Sequence, residues 1–111
     1  MAVKNTQTKE YNVPFETMRA LLRKPEFSTL MDAPFIEEAI LSDGVEFRYI
    51  RKTDIVRRYG RNYFIKLQKV DDNTTSVAVT TQSRKVTVLF DTSWKREVTK
   101  VFNYMDILLS R

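Results

Sequence analysis

The closing stretch of the chain, Arg61 to Leu109, most constrains what it can fold into. Short runs alternate apolar and polar residues, as strands with one buried face do. A longer run then changes period. Trp94, Val98, Val101, Phe102, Met105, Leu108 and Leu109 recur at steps of three, four and one, which is one face of a helix. Lys95, Arg96, Thr99, Lys100, Asn103 and Asp106 fall on the other face, and Ile107 alone breaks the pattern. Asp91, Thr92 and Ser93 supply side-chain oxygens where the first backbone N–H groups of such a helix need acceptors. A helix with so wide an apolar face needs an apolar sheet to lie on.

The rest of the chain supplies that sheet. Val45, Phe47 and Tyr49 alternate with Glu46, Arg48 and Ile50, and Tyr63, Ile65 and Leu67 alternate with Phe64, Lys66 and Gln68. Asp54 to Tyr59 reads as a further strand, turning at Tyr59-Gly60-Arg61-Asn62. Asp71-Asp72-Asn73 is a turn by composition. Val77, Val79 and Thr81 make the next strand, Gln82-Ser83-Arg84 a turn, and Val86, Val88 and Phe90 the last strand before the helix. Upstream, Thr6 to Val13 reads as a first strand. Pro14 suits the first position of a helix in which Phe15, Met18, Leu21 and Leu22 share a face, and Pro25 stops it. Phe27, Leu30 and Met31 suit a short helical turn. Phe35 to Leu41 fits two readings, a helix opened by Pro34 and closed near Gly44, or an extended strand. The sum is one α+β domain over 1–111: an antiparallel curved sheet of about five to six strands packed against a long C-terminal helix, with one or two short helices after the first strand.

Composition narrows the chemistry. With 111 residues, 42% hydrophobic and 30% charged, the chain is long enough for one core. It has no histidine and no cysteine, so zinc sites, Ser-His-Asp triads and thiolate nucleophiles are outside its reach, as are disulfides. No Gly-rich phosphate loop is present. The adjacent acids Glu37-Glu38 and Asp71-Asp72 point apart in a strand and diverge in a helix, so neither is a ready dyad or metal clamp. Asp71-Asp72 is turn chemistry, Glu37-Glu38 a solvated helix face, and Asp32 and Asp91 caps or turn residues. The expectation is a non-enzymatic protein with no catalytic residue, metal or cofactor. No apolar run is long enough to span a bilayer, the N-terminal stretch carries no signal-like apolar segment, and the lack of cysteine suits the cytoplasm.

The segments YNVPFETMRALL and TTSVAVTTQSRKVTVLFDTSWKREVTKVFNYMDILL, a strand followed at once by a helix and a meander running into a closing helix, resemble the helix-grip fold of the START and Bet v 1-like superfamily. The closing segment is also similar to short uncharacterised bacterial proteins of this length. The resemblance implies a curved sheet wrapped around the last helix, with a pocket for an apolar small molecule between them. Met18, Leu22, Tyr49, Tyr63, Ile65, Trp94, Phe102 and Met105 would line it, or would simply fill the core.

The charge distribution suggests an alternative. The net charge is +5, and residues 45–70 hold eight basic and two acidic side chains. The block Phe47 to Phe64 carries five arginines, one lysine and five aromatics, a combination that attracts phosphates and stacks on unpaired bases. Arg48, Arg51, Lys52, Arg57, Arg58 and Arg61 are the candidates for binding single-stranded nucleic acid or another polyanion. The plainer reading is that Phe47, Tyr49, Tyr63 and Ile65 are core while Arg48, Lys52, Arg57 and Lys66 cover a solvated face. The block does not match the RNA-recognition signature, because Gly60 follows Tyr59 rather than a basic residue. A third reading is a protein-interaction module or homodimer built through an exposed sheet edge or Ile107.

Overall fold

The computed structural model describes residues 4–51, 61–83 and 94–111. Along the chain run β1 (Lys4–Tyr11), α1 (Phe15–Arg23), α2 (Pro25–Met31), β2 (Phe35–Leu41), β3 (Gly44–Arg51), β4 (Arg61–Asp71), β5 (Thr74–Ser83) and α3 (Trp94–Leu109). The five strands form one antiparallel curved sheet in the order β1-β5-β4-β3-β2. All three helices cover its concave face, so the architecture is the two-layer α+β domain expected.

The alternation read from the sequence sets the faces of β3, β4 and β5. Val45, Phe47, Tyr49, Tyr63, Ile65, Leu67, Val77 and Val79 point to the concave side and are all buried. From α3, Val98, Val101, Phe102, Met105 and Leu108 meet them, while Ile107 remains 44% exposed. The β4–β5 turn is made as its composition requires, the Asn73 N–H donating to Asp71 Oδ1 at 2.8 Å. The Asp91–Ser93 cap, the Gly60 turn and the expected strands at 54–59 and 86–90 lie outside the described residues.

Several expectations change. α1 begins at Phe15, with Pro14 as its N-cap residue, and the Met18 N–H donates to the Pro14 carbonyl at 3.1 Å. Pro25 ends one helix and begins another: Lys24 is extended (φ −69°, ψ 134°), as a residue before proline prefers, and Pro25 takes the first turn of α2. α2 closes on Asp32 in the left-handed region (φ 53°), where the Asp32 and Ala33 N–H groups reach the carbonyls of Thr29 and Ser28. Phe35 to Leu41 is a strand, not a helix, because it pairs with β3 along its length. Gly44 therefore does not cap a helix. It opens β3 where a Cβ would run into the Leu67 carbonyl oxygen. Gln82-Ser83 is not a turn. Both residues are paired in β5, and β1 occupies the place beside β5 that a simple meander would give to the following strand. β3 pairs directly with β4, Arg51 opposite Arg61.

Candidate functional site

The expected pocket-lining residues come together in the interior. Met18, Leu22, Tyr49, Tyr63, Ile65, Phe102 and Met105 belong to one cluster of buried side chains, none more than 8% exposed. The side chain of the eighth, Trp94, lies outside what is described. Two polar ties close this interior. The Tyr49 hydroxyl donates to the Leu22 carbonyl at 3.3 Å, satisfying an acceptor at the end of α1. The Tyr63 hydroxyl donates to Glu97 Oε2 at 2.9 Å. Burial, more than the nearby carboxylates, pushes both phenols far above their ordinary range.

Glu97 is the hub of that second tie. Arg51 Nη1 donates to the same oxygen at 3.3 Å, and its guanidinium lies 5.2 Å from the Tyr63 ring centroid. Arg51 also donates to the carbonyls of Met31 at 2.6 Å and Asp32 at 3.3 Å, so it joins the end of α2 to α3. Burial opposes ionisation of Glu97. The Tyr63 hydrogen bond and the Arg51 charge outweigh it and hold the carboxyl below the usual range.

An open cleft lies at the β2 end of the same concave face, where α1 meets α2 over β2. It has a volume of about 510 Å³. Leu22, Pro25 and Phe35 make its apolar walls, with Ser28 beside them, and Arg23, Lys24 and Glu38 its charged ones. Phe35 is 48% exposed although its ring lies 5.6 Å from that of Tyr49 and 6.1 Å from that of Phe47.

A break in strand register builds this wall. Phe35 pairs with Tyr49 but Glu37 pairs with Arg48, so Ile36 is an extra residue. The bulge brings Phe35 and Glu38 to the same concave face, which strict alternation would forbid. Glu38 then accepts from Arg19 Nε at 2.8 Å and Nη2 at 2.6 Å, and from Arg23 Nε at 2.7 Å and Nη2 at 2.9 Å. Arg19 and Arg23 are one helical turn apart on α1, so they share the face that meets β2. The Arg23 hydrogen bonds above all, and then those from Arg19, hold the Glu38 carboxyl below its ordinary range against desolvation. Glu38 is thus not a solvated helix residue but a strand carboxylate only 15% exposed.

Of the described cations of the arginine-rich block, Arg48 lies on the opposite face of the sheet from Arg51 and Arg61, which are register partners. Arg48 points to the convex face and pairs with Glu46 at 2.8 Å and Glu37 at 2.5 Å. Arg51 points to the concave face, and Arg61 Nη1 donates to Thr81 Oγ1 at 3.3 Å. Lys52, Arg57 and Arg58 lie outside the described residues. Among the described residues no three His, Cys, Asp or Glu side chains form a metal-holding group, and no helix is long and apolar enough to cross a membrane.

Arg23, Lys24, Pro25, Ser28, Phe35 and Glu38 are absent from the sequence-derived candidates. The only signal for them is a basic pair at a helix end before proline. No family model and no curated protein matches the sequence. Among solved structures the chain is similar to the crystal structure of Ara h 8.0201, at a TM-score of 0.55 and 10% identity over 100% of both chains. Norcoclaurine synthase from Thalictrum flavum is similar at 0.49 and 9% identity, over 100% of this chain and 88% of that one. The vertebrate conserved region of human METTL16 follows at 0.46 and 12%, over 93% and 98%. The first of these carries the conclusion, and at such identity it concerns the fold alone. The chain has the helix-grip, Bet v 1-like fold.

Proposed function

We propose that the protein is a non-enzymatic binding domain that takes a small apolar molecule in the cleft between α1, α2 and β2. The observation that carries this reading is the cleft itself. Its volume of about 510 Å³ falls among those of small-molecule sites, and Leu22, Pro25 and Phe35 offer apolar contact there. Binding fits better than catalysis because the carboxylate at the cleft, Glu38, is held ionised by two guanidiniums and is poorly suited to trading protons. The test is calorimetric titration with decanol, a neutral chain without charge of its own. Decanol should bind the native chain, and Phe35→Ala should weaken it about tenfold while the fold is kept. Binding that is indifferent to Phe35→Ala but lost in Phe102→Ala would move the site to the interior, where Met18, Tyr49, Tyr63, Ile65, Phe102 and Met105, with Trp94, are the alternative lining. That route requires α3 to part from the sheet.

A second reading, a homodimer, is favoured by the exposure of Ile36 (52%) and Ile40 (70%) on β2, the end strand of the described sheet. Sedimentation equilibrium separates the two. A dimer abolished by Ile40→Lys supports this second reading, and a monomer at all concentrations removes it.

A further inference from the structure

We infer that the occupant of the cleft is an amphiphile carrying one anionic group, held by Arg23 and Lys24 beside an apolar wall of Leu22, Pro25 and Phe35. This rests on the reading of the cleft as a small-molecule site and adds the chemistry of the ligand. The argument is one of charge. A single carboxylate, Glu38, receives four hydrogen bonds from two guanidiniums. Glu16 stands 3.8 Å from Arg19 on the far side and is 75% exposed. Arg19, Arg23 and Lys24 against Glu16 and Glu38 leave one positive charge unmatched. Lys24, which lines the cleft, has no ion-pair partner among the described residues. Arg23 is 53% exposed, and its Nη1 is not among the atoms that bond Glu38.

The surplus therefore sits at the mouth of an apolar cavity, where an anion gains charge-assisted hydrogen bonds and its apolar body leaves water. A neutral apolar ligand would leave these cations as they are. A cationic one would meet Arg23 and Lys24 with its like charge. Ser28 already donates its hydroxyl to the Pro25 carbonyl at 3.2 Å, so it has only acceptor capacity left for the cleft. Among the side chains that line the cleft, the cations alone can donate to the ligand's polar end.

The test compares decanoate with decanol, the same chain with and without the charge, by isothermal titration calorimetry on the native protein and three variants. Decanoate should bind about tenfold more tightly than decanol, the scale of one hydrogen bond to a charged group. Arg23→Gln and Lys24→Gln should each lower decanoate affinity toward that of decanol and leave decanol unchanged. Glu38→Gln, which frees both guanidiniums, should tighten decanoate. Circular dichroism checks that each variant is folded, and the two surface cation variants keep the test open where Glu38→Gln destabilises the chain. Equal binding of the two ligands, unmoved by Arg23→Gln and Lys24→Gln, would overturn the anion and leave the cleft reading intact. Binding of neither ligand would remove both.

Discussion

Glu97 from α3 and Glu38 from β2, two carboxylates on the concave side of the sheet among the described residues, differ in what surrounds them rather than in how far they are covered. Their side chains are 16% and 15% exposed. Glu97 is hydrogen-bonded to one guanidinium and one phenol, with the charges of Lys100 and Arg61 near it, and α3 closes over it. Glu38 takes two guanidiniums and lies beside an open cleft. The same contrast runs through the apolar residues. Phe47 is fully buried, whereas Phe35, its neighbour on the next strand, is 48% exposed. What differs is the cover: a helix of 16 residues on one side, and on the other two helices of 9 and 7 residues that break apart at Lys24. In this fold the space for a ligand arises where the helices fail to span the sheet.

The largest effect should come from crossing that line. Phe47→Ala is expected to cost about 3–5 kcal/mol in urea unfolding, as a truncation in a packed core does. Phe35→Ala should cost roughly 1 kcal/mol or less, because half of its surface already meets water. Equal costs would mean that the cleft is closed in solution. Next, Arg51→Met strips Glu97 of its cation and two α2 carbonyls of their donor, and should cost about 2–3 kcal/mol. Arg23→Gln should cost less, because Arg19 still holds Glu38. A cost as large as that of Arg51→Met would mean that the cluster at Glu38 is chiefly structural.

Acidification gives a third and smaller separation. Both carboxyls have folded-state values below the ordinary range. Each therefore contributes stability that is present above the unfolded glutamate value of about 4.3 and is lost as pH falls through the folded one. Midpoints followed from neutral to acid pH should decline, and Glu97→Gln and Glu38→Gln should each flatten the decline. A stability that rises on acidification would contradict both assignments. The smallest effect belongs to the convex face. Arg48→Ala removes the exposed pairs with Glu46 and Glu37 and should leave both stability and decanol binding unchanged.

The closed side of the molecule was legible in the sequence and the open side was not, for physical reasons. The α3 face and the alternation of β3 and β4 are periodic, and period is what burial on one face imposes. Asp71-Asp72-Asn73 announces its turn by side-chain chemistry alone. FIEEAIL has no such signature: its apolar residues satisfy a helix or a strand, and only its pairing with β3 decides between them. The place of β1 beside β5 is a contact between residues more than sixty positions apart, which Thr6 and Thr80 mark with a 2.7 Å hydroxyl contact but which no local pattern foretells. Glu38 was misread for the same reason. Its partners lie on α1, and a bulge that cannot be seen in the sequence turns it toward them.

That bulge bears on how the molecule keeps company with its own kind. A straight end strand with exposed apolar side chains is a template on which another strand can be laid, and repetition of that step makes fibres. Ile36, the surplus residue, bends the edge just where Phe35 and Ile36 are most exposed. The run from Glu37 to Leu41 stays regular and carries Ile40 at 70% exposure, so that part of the strand can still receive a neighbour. The bulge thus withholds from such pairing the stretch at the mouth of the cleft, and deleting Ile36 would extend the template to it.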